Sequence, residues 1–297
     1  MMELHNLPVV ANLSDNVTIV EKEKIKIVRV VHKKATAGIS LFGGHVLSYQ
    51  PAGQPDLLWM SDASLFDGEK SIRGGIPVCW PWFGGIGSPN HGFARIQEWQ
   101  LVEHRESEAG VVVSLGLKSS EATRHIWPYE FHLLLHIAIG DELRLSLEIT
   151  NTDEKVWNFS GALHSYLNIG DIEKISTTGM GKEYIDKLQN NQVCQGGETL
   201  TLTQGIDRIY TSPDERIIMQ DPTLNRALTV DNTGHNSAVL WNPWDELSKA
   251  MSDMTDDAYQ TMFCIESAIF SPCLSAGITL QPGDSHTLTT TIAAQNI

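Results

Sequence analysis

From Phe131 to Thr150 the chain reads "FHLLLHIAIGDELRLSLEIT", and its apolar residues recur at every second position. Strand side chains alternate between faces, so Phe131, Leu133, Leu135, Ile137 and Ile139 share one face of a strand. Leu143, Leu145, Leu147 and Ile149 do the same in a second run, with Gly140-Asp141 between the two as a turn. The pattern predicts a β-hairpin. Shorter runs of the same kind, "GVVVSLGL", "TLTLT", "RALTVDN", "SAVLWN" and "HTLTTTIAA", are separated by Gly, Pro, Asn and Asp. No segment of helical length carries a 3.6-residue apolar stripe, and residues 245–260, "DELSKAMSDMTDDAYQ", are the best candidate for a short helix or ordered loop. The expectation is an all-β, antiparallel sandwich or barrel with few short helices, built as a single β domain over residues 1–297, a two-domain division being the weaker alternative.

Some stretches do not fit the plain alternation. "FCIESA" (263–268) reads as a buried strand, yet it places Glu266 on the face shared by Met262, Cys264 and Ala268. A carboxylate among such neighbours has to be exposed, paired or employed in chemistry. In "ALHSYLNIGD", His164 falls on a polar and aromatic face with Ala162, Tyr166 and Asn168, while Leu163, Leu167 and Ile169 point the other way. A lone strand histidine is more often structural than functional, so this placement alone does not decide its role.

"SIRGGIPVCWPWFGG" cannot be a regular central strand, because Pro77 and Pro81 would each remove a ladder donor. It places Arg73 beside a Gly-Gly pair with Trp80, Trp82 and Phe83 close by. Arginine next to glycine suits an anion, and tryptophan suits the C–H face of a sugar. The residues are equally readable as core tryptophans with an arginine paired to an acid. "NHGFAR" adds His91 and Arg95 on a loop, and "LWNPWDE" sets Trp241 and Trp244 about an Asn-Pro turn, either a sugar platform or a packed corner. His132 and His136 share a strand face, but no third metal ligand lies near them in the sequence, so no metal site is expected.

Composition narrows the partners. The apolar fraction of 41% and charged fraction of 19% are those of an ordinary globular protein. A net charge of −15 disfavours nucleic acid and anionic membrane surfaces, while leaving room for one small anion held by a local group of arginines. Cys79, Cys194, Cys264 and Cys273 show no C-x-x-C spacing and are expected to be free thiols. The first residues lack the basic and apolar regions of a secretory signal. The longest stretch without Asp, Glu, Lys or Arg, Gly74 to Ala94, holds six glycines and three prolines and reads as loop. A cytoplasmic protein is expected.

Six blocks taken in order, "RGGIPVCWPWFG" (73–84), "HGFAR" (91–95), "LHSYLNIGDI" (163–172), "DRIY" (207–210), "WNPW" (241–244) and "FCIESA" (263–268), resemble the glucose-6-phosphate 1-epimerase-like branch of the aldose 1-epimerases. The resemblance spans roughly residues 35–290. It implies a β-supersandwich of the galactose-mutarotase type and a cofactor-free isomerase that interconverts the α and β anomers of a sugar phosphate. By that resemblance His164 and Glu266 are the catalytic residues. Arg73 and Arg95 look like the phosphate and substrate clamp, and His91 and Asp207 match polar residues lining the sugar site; Trp82 and Trp241 are the candidate aromatics for the sugar ring. Many members have a proline after the glutamate where this chain has Ser267.

Anomerisation asks for a base to take the proton of the C1 hydroxyl and an acid to protonate the ring oxygen. Glu266 suits the base and His164 the acid. The expected partner is therefore a small sugar phosphate, with no nucleic acid and no membrane, bound by a monomer or weak homodimer. The rival readings are a mutarotase of unphosphorylated aldoses and a non-catalytic carbohydrate-binding protein. A hydrolase would ask for a second carboxylate beside Glu266, and none stands out.

Overall fold

The structure is a computed structural model, described here for residues 4–297. Strands dominate it, and every pairing between them is antiparallel. Five consecutive strands between Val9 and Pro51 form a meander that makes the first sheet. A nine-stranded sheet carries the hairpin Phe131–Ile139 and Leu143–Asn151 near its middle, beside the C-terminal strand Ser285–Asn296. An eight-stranded sheet has Met262–Ile269 at its centre, flanked by Ser237–Asn242 on one side and by the short strands Gly161–Leu163 and Tyr166–Asn168 on the other. This is the antiparallel β-sandwich architecture the sequence pattern predicts.

The hairpin forms as the alternation requires. Leu143 pairs with Ile139 and Asn151 with Phe131, so the inward residues of both strands lie side by side and buried. Each buried Leu or Ile there stabilises the fold by roughly 1.5–3 kcal/mol. Their partners across the sandwich come from the eight-stranded sheet, where Leu163, Leu240, Phe263 and Ile265 belong to the same hydrophobic cluster. The two inner faces thus share one core, which the first sheet extends through Val28, Val30 and Ala37.

Residues 245–260 resolve into both expected forms, a short α-helix Trp244–Ala250 and a 3₁₀ turn Ala258–Thr261 with loop between. Asp245 and Glu246 in the first turn and Lys249 in the last match the helix dipole. A second short helix, Glu121–Ile126, has no counterpart in the pattern reading. It is six residues long, too short for an apolar stripe, and a capping box between Ser120 and Thr123 starts it. Among the described residues no helix is long and apolar enough to cross a membrane. The four cysteines are all free thiols, Cys79 and Cys264 buried and Cys273 exposed.

Candidate active site

Every residue of Met262–Ile269 is buried, because the strand lies mid-sheet with the sandwich core on one face and smaller side-chain clusters on the other. Alternation sends Phe263 and Ile265 into the sandwich core, and Met262, Cys264 and Ala268 into separate clusters on the opposite side. Ser267 is paired to Leu163 on one flank and Ala238 on the other, and its hydroxyl donates to the Thr289 carbonyl (3.4 Å) of the facing sheet. The strand therefore runs regularly through Ser267. Strand register builds two cross-strand rows on the opposite face: Asp207, Trp241, Cys264 and Tyr166 in one, Ile209, Val239 and Glu266 in the next.

Above these rows lies a cleft of about 360 Å³. It brings together Arg73, His91, Arg95, His164, Asp207, Trp241 and Glu266, seven of the eight residues singled out in the sequence. Trp82 is the exception and corrects the expectation that it faces a sugar. It is 4% exposed, packs edge-on against Phe93, and its indole N–H donates to the Pro89 carbonyl (2.7 Å). Phe83, one residue on, lines the cleft instead.

His164 sits in the gap between Gly161–Leu163 and Tyr166–Asn168, its backbone N–H donating to the Pro77 carbonyl (3.1 Å). Its Nε2 is 3.3 Å from Glu266 Oε1, although the two residues lie in distant parts of the chain. The imidazole stacks on Tyr166 at 4.7 Å with the rings 10° apart, and meets His91 and Trp241 edge-on. His164 Nδ1 and Glu266 Oε2 are buried without a hydrogen-bond partner. Burial, reinforced by Asp207 and opposed by Arg95, holds the Glu266 carboxyl well above the ordinary range. Burial also pushes His164 well below its usual value, helped by His91, Arg95 and Arg73. Both directions favour a neutral pair holding one proton between two bases.

The cations stand in two different states. Arg73 donates from Nε to Asp253 Oδ2 (3.0 Å), its Nη2 is 3.0 Å from the same oxygen, and its Nη1 donates to the Tyr166 hydroxyl (2.8 Å). Arg95 donates from Nη2 to the Asn90 carbonyl (3.0 Å) and has no carboxylate partner among the described residues. The Gly-Gly pair after Arg73 answers a steric demand of the backbone. Gly75 has φ +61°, and a Cβ there would lie 2.2 Å from the Val46 carbonyl oxygen. His91 also has positive φ (63°); its Nδ1 accepts from the Gly84 N–H (3.3 Å), so its proton resides on Nε2. Burial first, then Arg95, Arg73 and Lys187, lower its pKa to about 3.

Two charged residues of the site, one lining the cleft and one pairing with Arg73, were not found in the sequence. Lys187 lines it from the 3₁₀ turn Lys187–Gln189 and acts on Asp207, whose carboxyl burial pushes up and Lys187 pulls down. Asp253 fixes Arg73, but it is one of several acids in the 245–260 stretch and nothing local sets it apart. His132 and His136 join no metal-ligand cluster among the described residues; His136 Nδ1 instead meets the Ser114 hydroxyl at 2.8 Å.

This sheet face, with a buried His–Glu pair beneath cationic side chains, can be set beside known proteins. The profile of the family "Aldose 1-epimerase" matches residues 26–293. The chain belongs to the aldose 1-epimerase family. It is 38% identical over 271 residues to the Escherichia coli (strain K12) protein named "Putative glucose-6-phosphate 1-epimerase", covering 89% of this chain and 90% of that one. A protein of the same name from Haemophilus influenzae is 32% identical, with 80% and 83% covered. Among solved structures, the "putative mutarotase (YeaD)" of Salmonella typhimurium superposes with a TM-score of 0.92 at 34% identity, covering 99% of this chain and 98% of that one. A galactose mutarotase-like protein from Lactobacillus casei, at 17% identity and TM-score 0.73, with 91% and 100% covered, shares the fold. The β-supersandwich of this aldose 1-epimerase is thus the galactose mutarotase-like one.

Proposed function

We propose that this aldose 1-epimerase interconverts the α and β anomers of a hexose 6-phosphate, using Glu266 and His164 as its proton-transfer pair. The observation that carries the reading is their 3.3 Å approach on the floor of a cleft that also holds Arg73, Arg95 and Lys187. The carboxylate takes the proton of the C1 hydroxyl; the C1=O bond forms as the C1–O5 bond breaks, and O5 takes a proton from the imidazolium. Rotation about C1–C2 presents the other carbonyl face, and closure runs the same transfers in reverse. The pair ends as it began, so no proton is consumed.

The environment sharpens both partners. A desolvated carboxylate is a stronger base, and a desolvated imidazolium a stronger acid, than either is in water. Arg73 and Arg95 both disfavour the imidazolium in the empty cleft. A bound phosphate offsets their charge and so favours moving the shared proton onto His164. Arg95, without a carboxylate partner, is the cation best placed to meet that phosphate, with Arg73 held ready by Asp253. His91, Asp207 and Trp241 are left to orient the sugar hydroxyls and ring.

Magnetisation exchange between the anomers of glucose 6-phosphate, with glucose and galactose in parallel, tests this reading. Exchange above the spontaneous rate for the phosphate, and much less for the free sugars, is the expected result. Equal acceleration of all three would leave a general aldose mutarotase. No acceleration by folded protein would leave a sugar-binding protein.

A further inference from the structure

We infer that the cleft floor is also a binding site for a soft divalent cation of the zinc and cadmium kind, held by His164, Cys264 and Glu266. These three side chains each bring one ligand atom, and the atoms lie within 4.8 Å of one another. A tetrahedral site with ordinary zinc bond lengths separates its nitrogen and oxygen ligands by about 3.3 Å and nitrogen and sulfur by about 3.5 Å. His164 Nε2 and Glu266 Oε1 already stand 3.3 Å apart, and the sulfur lies within the 4.8 Å that spans the group, so it has to close in by at most about 1.3 Å.

All three residues are buried, and the site is ringed by unfilled polar atoms. Glu266 Oε2 has no partner, and neither has His164 Nδ1. A cation bridging the pair would take the place of the shared proton, with Oε2 free to make a second bond. His164 and Glu266 line the cleft while Cys264 lies behind them, so a fourth position for water would be on the cleft side.

The donor set selects the ion. Thiolate, imidazole and carboxylate together favour zinc or cadmium, whereas magnesium and calcium prefer oxygen ligands alone. Thiolate and carboxylate supply two negative charges against the ion's two positive ones. Arg73 and Arg95 oppose any cation here, so a bond of the strength that sulfur gives is needed, and Cys264 becomes the deciding ligand. The thiol gives up its proton to solvent when the sulfur–metal bond forms. An ion so held takes both atoms of the proton-transfer pair. If the epimerase reading above is right, it is an inhibitor.

The test is optical and does not depend on turnover. Cadmium chloride is titrated into full-length protein carrying Cys194→Ser and Cys273→Ser, which removes the two accessible thiols. A thiolate-to-cadmium charge-transfer band saturating at one equivalent is expected, and it should be lost on adding Cys264→Ser. Zinc should compete for the ion's place, and magnesium and calcium should not. Absence of the band in folded protein, or its persistence in the Cys264→Ser protein, overturns the proposal. Competition by millimolar magnesium would do the same. His164→Ala provides a second arm should Cys264→Ser fail to fold: it must weaken the band without removing the thiol that produces it.

Discussion

The two faces of Met262–Ile269 are equally buried and differ in the chemistry they carry. On one face Phe263 and Ile265 are wholly buried among leucines, isoleucines and valines of three sheets. On the other, Glu266 is 1% exposed, lies 3.3 Å from His164 Nε2 and keeps an unpartnered oxygen. Dispersion and lost water contact make the first face stabilising. The second holds a carboxyl where its charge is unwelcome, and the difference is paid for by the first. One strand thus carries a structural face and a reactive face, and adjacent positions should respond to mutation in opposite ways.

Adjacent substitutions give the largest contrast. Ile265→Ala should destabilise the protein by about 2–5 kcal/mol while leaving turnover per folded molecule nearly unchanged. Glu266→Gln should lower the rate of anomer exchange by about 10²–10⁴-fold. Its stability should rise at neutral pH, and the sign follows from linkage. Folding raises the carboxyl pKa above its reference of 4.5, so the folded state binds the extra proton. The contribution of this carboxyl to stability is therefore lost as pH climbs above 4.5, and the glutamine variant, which lacks the ionisable group, has none to lose there. Thermal melts of both proteins from pH 4.5 to pH 8 check this, the gap between them widening with pH. A glutamine variant less stable than the parent at pH 7 would make Glu266 a structural residue.

The contrast also sets what a sequence can disclose. The structural face was legible because its signal is local: alternation in 131–150 gives the hairpin, its register and its inward residues. Glu266 was legible as an anomaly in the same local pattern. Its partner was not, because period-2 alternation gives the face of His164 but not which distant strand packs beside it. The resemblance to the epimerases supplied that pairing, and the 3.3 Å separation is what gives it physical content. Asp253 and Lys187 escaped both routes, since an acid in an acid-rich loop and a lysine on an exposed turn carry no pattern. Trp82 failed in the other direction: an aromatic beside glycines reads the same whether it faces a ligand or a core.

Asp253 gives a second, intermediate test of where the reactive face ends. Arg73 is held from two nitrogens by one Asp253 oxygen and from a third by Tyr166, which stacks on His164. Asp253→Asn should loosen the guanidinium and raise KM for glucose 6-phosphate by roughly tenfold, about 1.4 kcal/mol of lost binding. kcat should fall less, because the proton-transfer pair itself is untouched. A change in kcat alone would mean that Asp253 acts through Tyr166 and His164 rather than through the anion.

A smaller effect separates the two tryptophans that the sequence presented alike. Trp82 is packed against Phe93 and gives its N–H to Pro89, whereas Trp241 borders the cleft and meets His164 and Tyr166 edge-on. Trp82→Phe leaves the Pro89 carbonyl without its donor and a void behind the ring, so it should cost about 1–3 kcal/mol of stability with KM unchanged. Trp241→Phe keeps an aromatic face on the cleft and breaks no hydrogen bond, so its melting temperature should hardly move while KM rises severalfold. Denaturant unfolding and anomer-exchange kinetics on the two variants read both quantities at once. If the KM effect belonged to Trp82 instead, the sugar would have to enter from the side that Phe83 and the Pro89 loop now close, and the reactive face would extend beyond the eight-stranded sheet.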